Sequence, residues 1–158
     1  MECKDWILLL VPIILNGLMV YIVQILFQSY NKKQMDSYEK KKSINSTFYE
    51  VLLNSKNAFR TFGYAVTDTP DDEDKISNAL GEFFRSITKI LDYYDDHNYF
   101  LENYKEKISE IRNYFNNFID NNRNKATFTV TESKSIMECV KTLHSYVDAL
   151  IDASQKNI

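Results

Sequence analysis

The chain has 158 residues, of which 44% are hydrophobic, 14% aromatic and 26% charged, with only 3 Gly and 2 Pro. That length suits one compact domain, and so few backbone breakers exclude both a turn-rich sandwich or barrel and a disordered chain, leaving an all-α architecture of long helices. A net charge of −3, from 19 basic and 22 acidic side chains, leaves no global footprint for nucleic acid, and no nucleic-acid partner is expected.

The charge is unevenly spread. Residues 31–67 carry 7 basic and 3 acidic side chains, whereas 68–158 carry 11 and 17. The two cysteines, Cys3 and Cys139, lie in unlike settings, one beside an apolar run and one within a helical pattern. Neither a disulfide framework nor a paired metal motif is read from them, and a reducing compartment is compatible.

Residues 6–27 contain no charge, and 15 of them are Leu, Ile, Val or Phe. A helix of that length spans about 33 Å at ~1.5 Å per residue, which matches the hydrocarbon core of a bilayer. Pro12, Asn16 and Gln24 oppose insertion, but a neutral amide costs less than a central charge, so insertion wins. A cleaved signal peptide and a buried soluble helix are the rivals. The first lacks its basic flank and small-residue exit, because the chain begins Met1-Glu2-Cys3-Lys4-Asp5 and leaves the run through Phe27-Gln28-Ser29-Tyr30.

The expectation is therefore a single amino-terminal transmembrane anchor over residues 1–30. Lys32, Lys33, Lys40, Lys41 and Lys42 follow the run, whereas only Lys4 precedes it, so the positive-inside rule puts the amino terminus outside and the carboxyl-terminal part in the cytoplasm, at an inner membrane. The same five lysines are candidates for contact with anionic lipid, each contributing about 1 kcal/mol when close to the surface. Asn16, Gly17, Tyr21, Gln24 and Gln28 share one broad stripe at about 100° per residue, a candidate face for association between spans.

Residues 31–46 read as a polar, basic helical stalk, with Met35, Tyr38 and Ile44 its few apolar side chains. Residues 47–158 read as a cytoplasmic, up-down four-helix bundle. Its first ladder is Phe48, Val51, Leu52, Ser55, Phe59, Phe62 and Val66 at helical spacing. Thr69-Pro70-Asp71-Asp72 then offers a hydroxyl N-cap, Pro at the first helical position and acids in the first turn.

The second ladder runs Ile76, Leu80, Phe83, Phe84, Ile87, Ile90, Leu91 and Tyr94; the third Leu101, Tyr104, Ile108, Ile111, Phe115, Phe118 and Ile119. After Asn121-Asn122-Arg123-Asn124, the stretch Thr129 to Glu132 has capping-box spacing, and Ile136, Val140, Leu143, Val147, Leu150 and Ile151 make the fourth face. Nothing at Asp95-Asp96-His97-Asn98 is Gly or Pro, so fusion of the second and third helices is the alternative topology.

The chemistry is sparse. His97 and His144 are the only histidines, and neither belongs to a Glu-x-x-His pair. Asp68, Asp71, Asp72, Glu73 and Asp74 lack the alternating oxygens, Gly and terminal Glu of a calcium loop. Phosphate loops, nucleophile elbows and Cys/His pairings are missing. Neither catalytic residue, metal site nor cofactor is expected. Tyr93, Tyr94, Tyr99, Phe100 and Tyr104 form an aromatic cluster at one end of the bundle, a candidate partner surface set against a reading as core and rim.

A tethered four-helix layout resembles the helical ribonuclease domains of the HEPN group, several of them membrane-tethered partners in bacterial anti-phage systems. Their Arg-x4-6-His signature is missing: Arg85 stands 12 residues before His97, and the matching slots before His144 hold no Arg. The resemblance carries layout and no activity.

The leading expectation is a non-enzymatic, single-span protein whose cytoplasmic bundle binds itself or another protein. Its expected partners are the lipid bilayer, further copies of the chain and a cytoplasmic protein. The alternative is a membrane-disrupting effector whose oligomerised spans open a path for ions, as in phage defence. A tethered hydrolase ranks third.

Overall fold

A computed structural model describes the backbone of residues 3–122 and 130–155 and the side chains of 19–122 and 135–155. Among these residues the chain forms four α-helices and no strand: α1 (Cys3–Asp68), α2 (Glu73–His97), α3 (Lys105–Asn122) and α4 (Val130–Gln155), with a short 3-10 turn at Glu102–Tyr104 leading into α3. The all-α expectation holds, and α2 and α3 are separate helices. The chain divides into two compact units, Met1–Lys41 and Lys42–Ile158.

In the first unit, every described side chain, 19–41, is exposed. Among the described residues no helix is long and apolar enough to cross a membrane. The side chains of 6–18, the greater part of the span read from the sequence, lie outside the described residues, as do those of Asn16 and Gly17 from its association stripe.

The second unit is an antiparallel bundle whose pairing follows from its long-range contacts. Along α1, Phe48 stacks near Tyr93 of α2, Ser55 accepts from the Ser86 hydroxyl at 2.8 Å and Phe59 meets Phe83 edge-on, so numbers rise on one helix as they fall on the other. The same inversion relates α1 to α4, where Tyr49 pairs with Gln155 and Lys56 with Asp148. It also relates α2 to α3, where Phe84 packs on Phe115 and Phe118, and Asp95 pairs with Arg112. Helix α3 closes the ring against α4, with Tyr114 against Tyr146.

Each ladder exists because apolar side chains three and four apart share a helix face and can leave water only against another such face. Phe48, Leu52, Phe83, Ile87, Ile90, Leu101, Ile108, Ile111, Val140, Leu143, Val147 and Leu150 are enclosed, each contributing ~1.5–3 kcal/mol before ordering entropy is charged. Ile119 departs from its ladder and is exposed, because Phe118 fills that seam against Phe84.

Two local features differ from the sequence reading. Burial starts at Ile44 and Asn45, so the last residues assigned to a solvated stalk belong to the bundle. The N-cap of α2 is Asp72, whose carboxylate accepts from the Lys75 backbone N–H at 3.0 Å. Thr69 instead donates its hydroxyl to the Ala65 carbonyl in the last turn of α1, and its own carbonyl accepts from the Asp72 N–H, placing Pro70 inside a tight turn before the helix. The α2–α3 connection turns without Gly or Pro. There Leu101 is drawn into the core, its N–H bonded to the His97 and Asn98 carbonyls, while the Asn98 side chain donates to the Asp95 carbonyl. The capping-box segment expected at 129–132 has no described side chains.

Candidate functional site

The apolar run is where the described chain departs furthest from ordinary surface chemistry. Met19, Val20, Tyr21, Ile22, Val23, Ile25, Leu26 and Phe27 are all exposed, and with Gln24 they make nine consecutive exposed residues. Contiguous exposed apolar surface on this scale marks contact with lipid or with another protein. Within the expected association stripe, Tyr21, Gln24 and Gln28 are described and exposed. Lys32, Lys33, Lys40 and Lys41 are exposed in the same unit, and Lys42 is exposed at the first residue of the bundle unit. Between them, Gln34 donates its amide N–H to the Tyr30 hydroxyl at 2.7 Å.

The five aromatics considered as a partner surface have divergent fates. Tyr94 and Tyr104 are buried, the latter against Phe48 with ring centroids 5.3 Å apart. Tyr93 is half-buried between Phe48 and the His97 ring, and its hydroxyl donates to the Ile44 carbonyl. Phe100 is half-buried and touches Tyr99 edge-on. Tyr99 alone of the five is displayed, at 83% exposure. Beside it lies a recess of about 480 Å³ whose lining includes Asn98, Glu102, Lys105 and Arg112. Burial raises the Tyr94 hydroxyl pKa there, with Asp95 and Glu102 acting in the same sense and Arg112 against it.

A second polar locus, on the seam between α1 and α4, has no counterpart in the sequence reading. His144 lies flat on Phe59, with centroids 3.7 Å apart, and its Nε2 is 3.3 Å from the Asp148 carboxylate, which also takes Lys56 at 2.8 Å. Both partners in the Lys56–Asp148 pair are partly exposed, so it contributes at most about 1 kcal/mol. Burial holds the His144 pKa below its ordinary value; Lys56 and Arg60 reinforce that and Asp148 opposes it. Its Nδ1 is buried, with no hydrogen-bond partner among the described residues. The signal that could have found this seam was the i, i+4 pair His144 and Asp148, but its partners Lys56 and Phe59 are far away in sequence.

The acidic tract is helix-start chemistry. The Lys75 backbone N–H, then its ammonium, hold the Asp72 carboxyl below the ordinary range. No group of three or more His, Cys, Asp or Glu among the described residues is arranged to hold a metal. Arg85 pairs with Glu82 on the surface, and His97 bonds through Nδ1 to the Tyr93 carbonyl, so the two sit in separate local contacts. Cys139 is buried, and burial pushes its thiol up to about 12, which leaves almost no thiolate at neutral pH. Comparisons with protein-family models, characterised proteins and solved structures return no match.

Proposed function

We propose that this chain is a single-span membrane protein that holds a helical bundle at the cytoplasmic face, where the bundle acts by protein contact rather than by catalysis. The observation that carries the reading is the exposed apolar stretch at 19–27, continuous in sequence with the rest of an uncharged run of 22 residues. Water is the costliest environment for that surface, at about 25 cal/mol per Å², and a bilayer removes the cost along the whole run at once. The lysines beyond it support a cytoplasmic bundle, and the closed core of the second unit supports a domain that folds without a cofactor.

Expression of the full chain, followed by alkaline extraction of membranes, tests the anchor. Retention in the pellet is expected, with protease digesting the bundle only from the cytoplasmic side. Recovery of the intact chain in a detergent-free supernatant refutes the anchor.

A second reading rests on the exposed amides Gln24 and Gln28 beside Tyr21: associated spans that open a polar path for ions. Depolarisation on expression, abolished by Gln24→Leu together with Asn16→Leu, favours it; an unchanged potential at high expression removes it.

A further inference from the structure

We infer that α1 between residues 21 and 38 is the seat of a second copy of this chain, lying parallel and in register, as a left-handed two-helix coiled coil that runs from the apolar segment out into the polar stalk. The inference deepens the anchored-bundle reading and rests on it for the parallel orientation.

Tyr21, Gln24, Gln28, Asn31, Met35 and Tyr38 follow one another at intervals of three and four residues, a mean of about 3.5, which is the repeat that keeps one seam facing a supercoiled partner. Left-handed packing at the same small crossing angle serves helices in lipid and in water alike, so one seam can cross the interface. In residues 31–43 the only apolar side chains are Met35 and Tyr38. They are 60% and 67% exposed, and both fall on the seam. Lys32, Lys33, Asp36, Glu39, Lys40 and Lys41 all fall off it. The next seam positions are Lys42, a charge, and Asn45, which is buried inside the bundle, so the seam ends where the second unit begins.

Three features select a copy of the chain over an unrelated helix. First, Gln24, Gln28 and Asn31 each carry a donor and an acceptor, so identical amides meeting in one layer satisfy each other; such layers fix register at some cost in stability. Second, the stalk is positively charged, and two copies can approach closely only if their lysines stay off the seam between 21 and 38 and meet no like charge across its flanks. In a parallel pair the flanking positions between 21 and 39 bring Phe27 against Lys32 and Gln34 against Glu39, neither of them a like-charge pair. Third, anchoring in one membrane sets the copies parallel and raises their effective concentration, which offsets so polar a seam.

The test is disulfide trapping of the full chain in its native membranes. In a Cys3→Ser background, with Cys139 buried, single cysteines are placed by Asn31→Cys, Met35→Cys and Tyr38→Cys, with Lys33→Cys and Asp36→Cys as off-seam controls. Mild oxidation is expected to yield severalfold more covalent homodimer at 31, 35 and 38 than at 33 and 36. Equal or negligible yields at all five positions in membrane-resident protein, or trapping of a different protein at the seam positions, overturn the inference. If the chain fails to sediment with membranes, the anchor falls, while trapping in the soluble fraction still decides the seam on its own periodicity.

Discussion

Leu101→Ala tests how a connection with neither Gly nor Pro reverses the chain. Leu101 is fully enclosed, and its backbone N–H and carbonyl both serve the turn, bonding to His97, Asn98 and Tyr104. Alanine retains those backbone bonds, so the perturbation is confined to the side chain. Three carbon groups leave the core, worth about 0.8 kcal/mol each in transfer. Incomplete collapse of the cavity adds to this, within a measured span of ~2–5 kcal/mol for such truncations. The expected loss is about 3 kcal/mol, a large part of the ~5–15 kcal/mol that holds a domain, with a fall in Tm on the order of 10 °C. Guanidinium titration of the full chain in mild detergent, followed by far-ultraviolet circular dichroism, measures it, with Tyr99→Ala as an exposed neighbour expected to stay within ~0.5 kcal/mol. A loss below ~1 kcal/mol for Leu101→Ala, or a gain in helicity as α2 and α3 fuse, refutes burial of this leucine as what turns the chain.

The cap of α2 predicts that Asp72→Ala lowers Tm clearly more than Thr69→Ala; the reverse order returns the cap to the threonine. For His144, burial lowers the folded pKa, so the unfolded chain takes up the proton more readily. Its contribution is complete above the unfolded value of ~6.5 and is lost as pH falls from there through the folded pKa, a slope that His144→Gln removes from stability measured between pH 7.5 and 5.5. In a Cys3→Ser chain, Cys139 should react with a thiol reagent only as fast as the bundle opens, since its thiol stands at about 12; rapid labelling of folded protein contradicts its burial.

Periodicity is a local property, and whatever depends on it was legible in the residues. Ladders such as Ile87, Ile90, Leu91 and Tyr94 repeat within four positions, so each helix and its buried face could be read without knowing its partner. The uncharged amino-terminal run is legible for the same reason. Tertiary structure decided the matters settled by competition between distant groups. Thr69 and Asp72 both had capping chemistry, and Thr69 was captured by the Ala65 carbonyl of the preceding helix. Of the five clustered aromatics, closure of the bundle left only Tyr99 in water, because Phe48 and the Ile44 carbonyl, more than 40 residues upstream, engage Tyr93, and Phe48 also packs on Tyr104. The Phe59, His144, Asp148 and Lys56 seam likewise exists only once α4 returns alongside α1, since its parts come from opposite ends of the folded unit. A sequence displays which side chains must leave water; which neighbour receives them is set when the helices meet, and no spacing along one chain encodes that by itself.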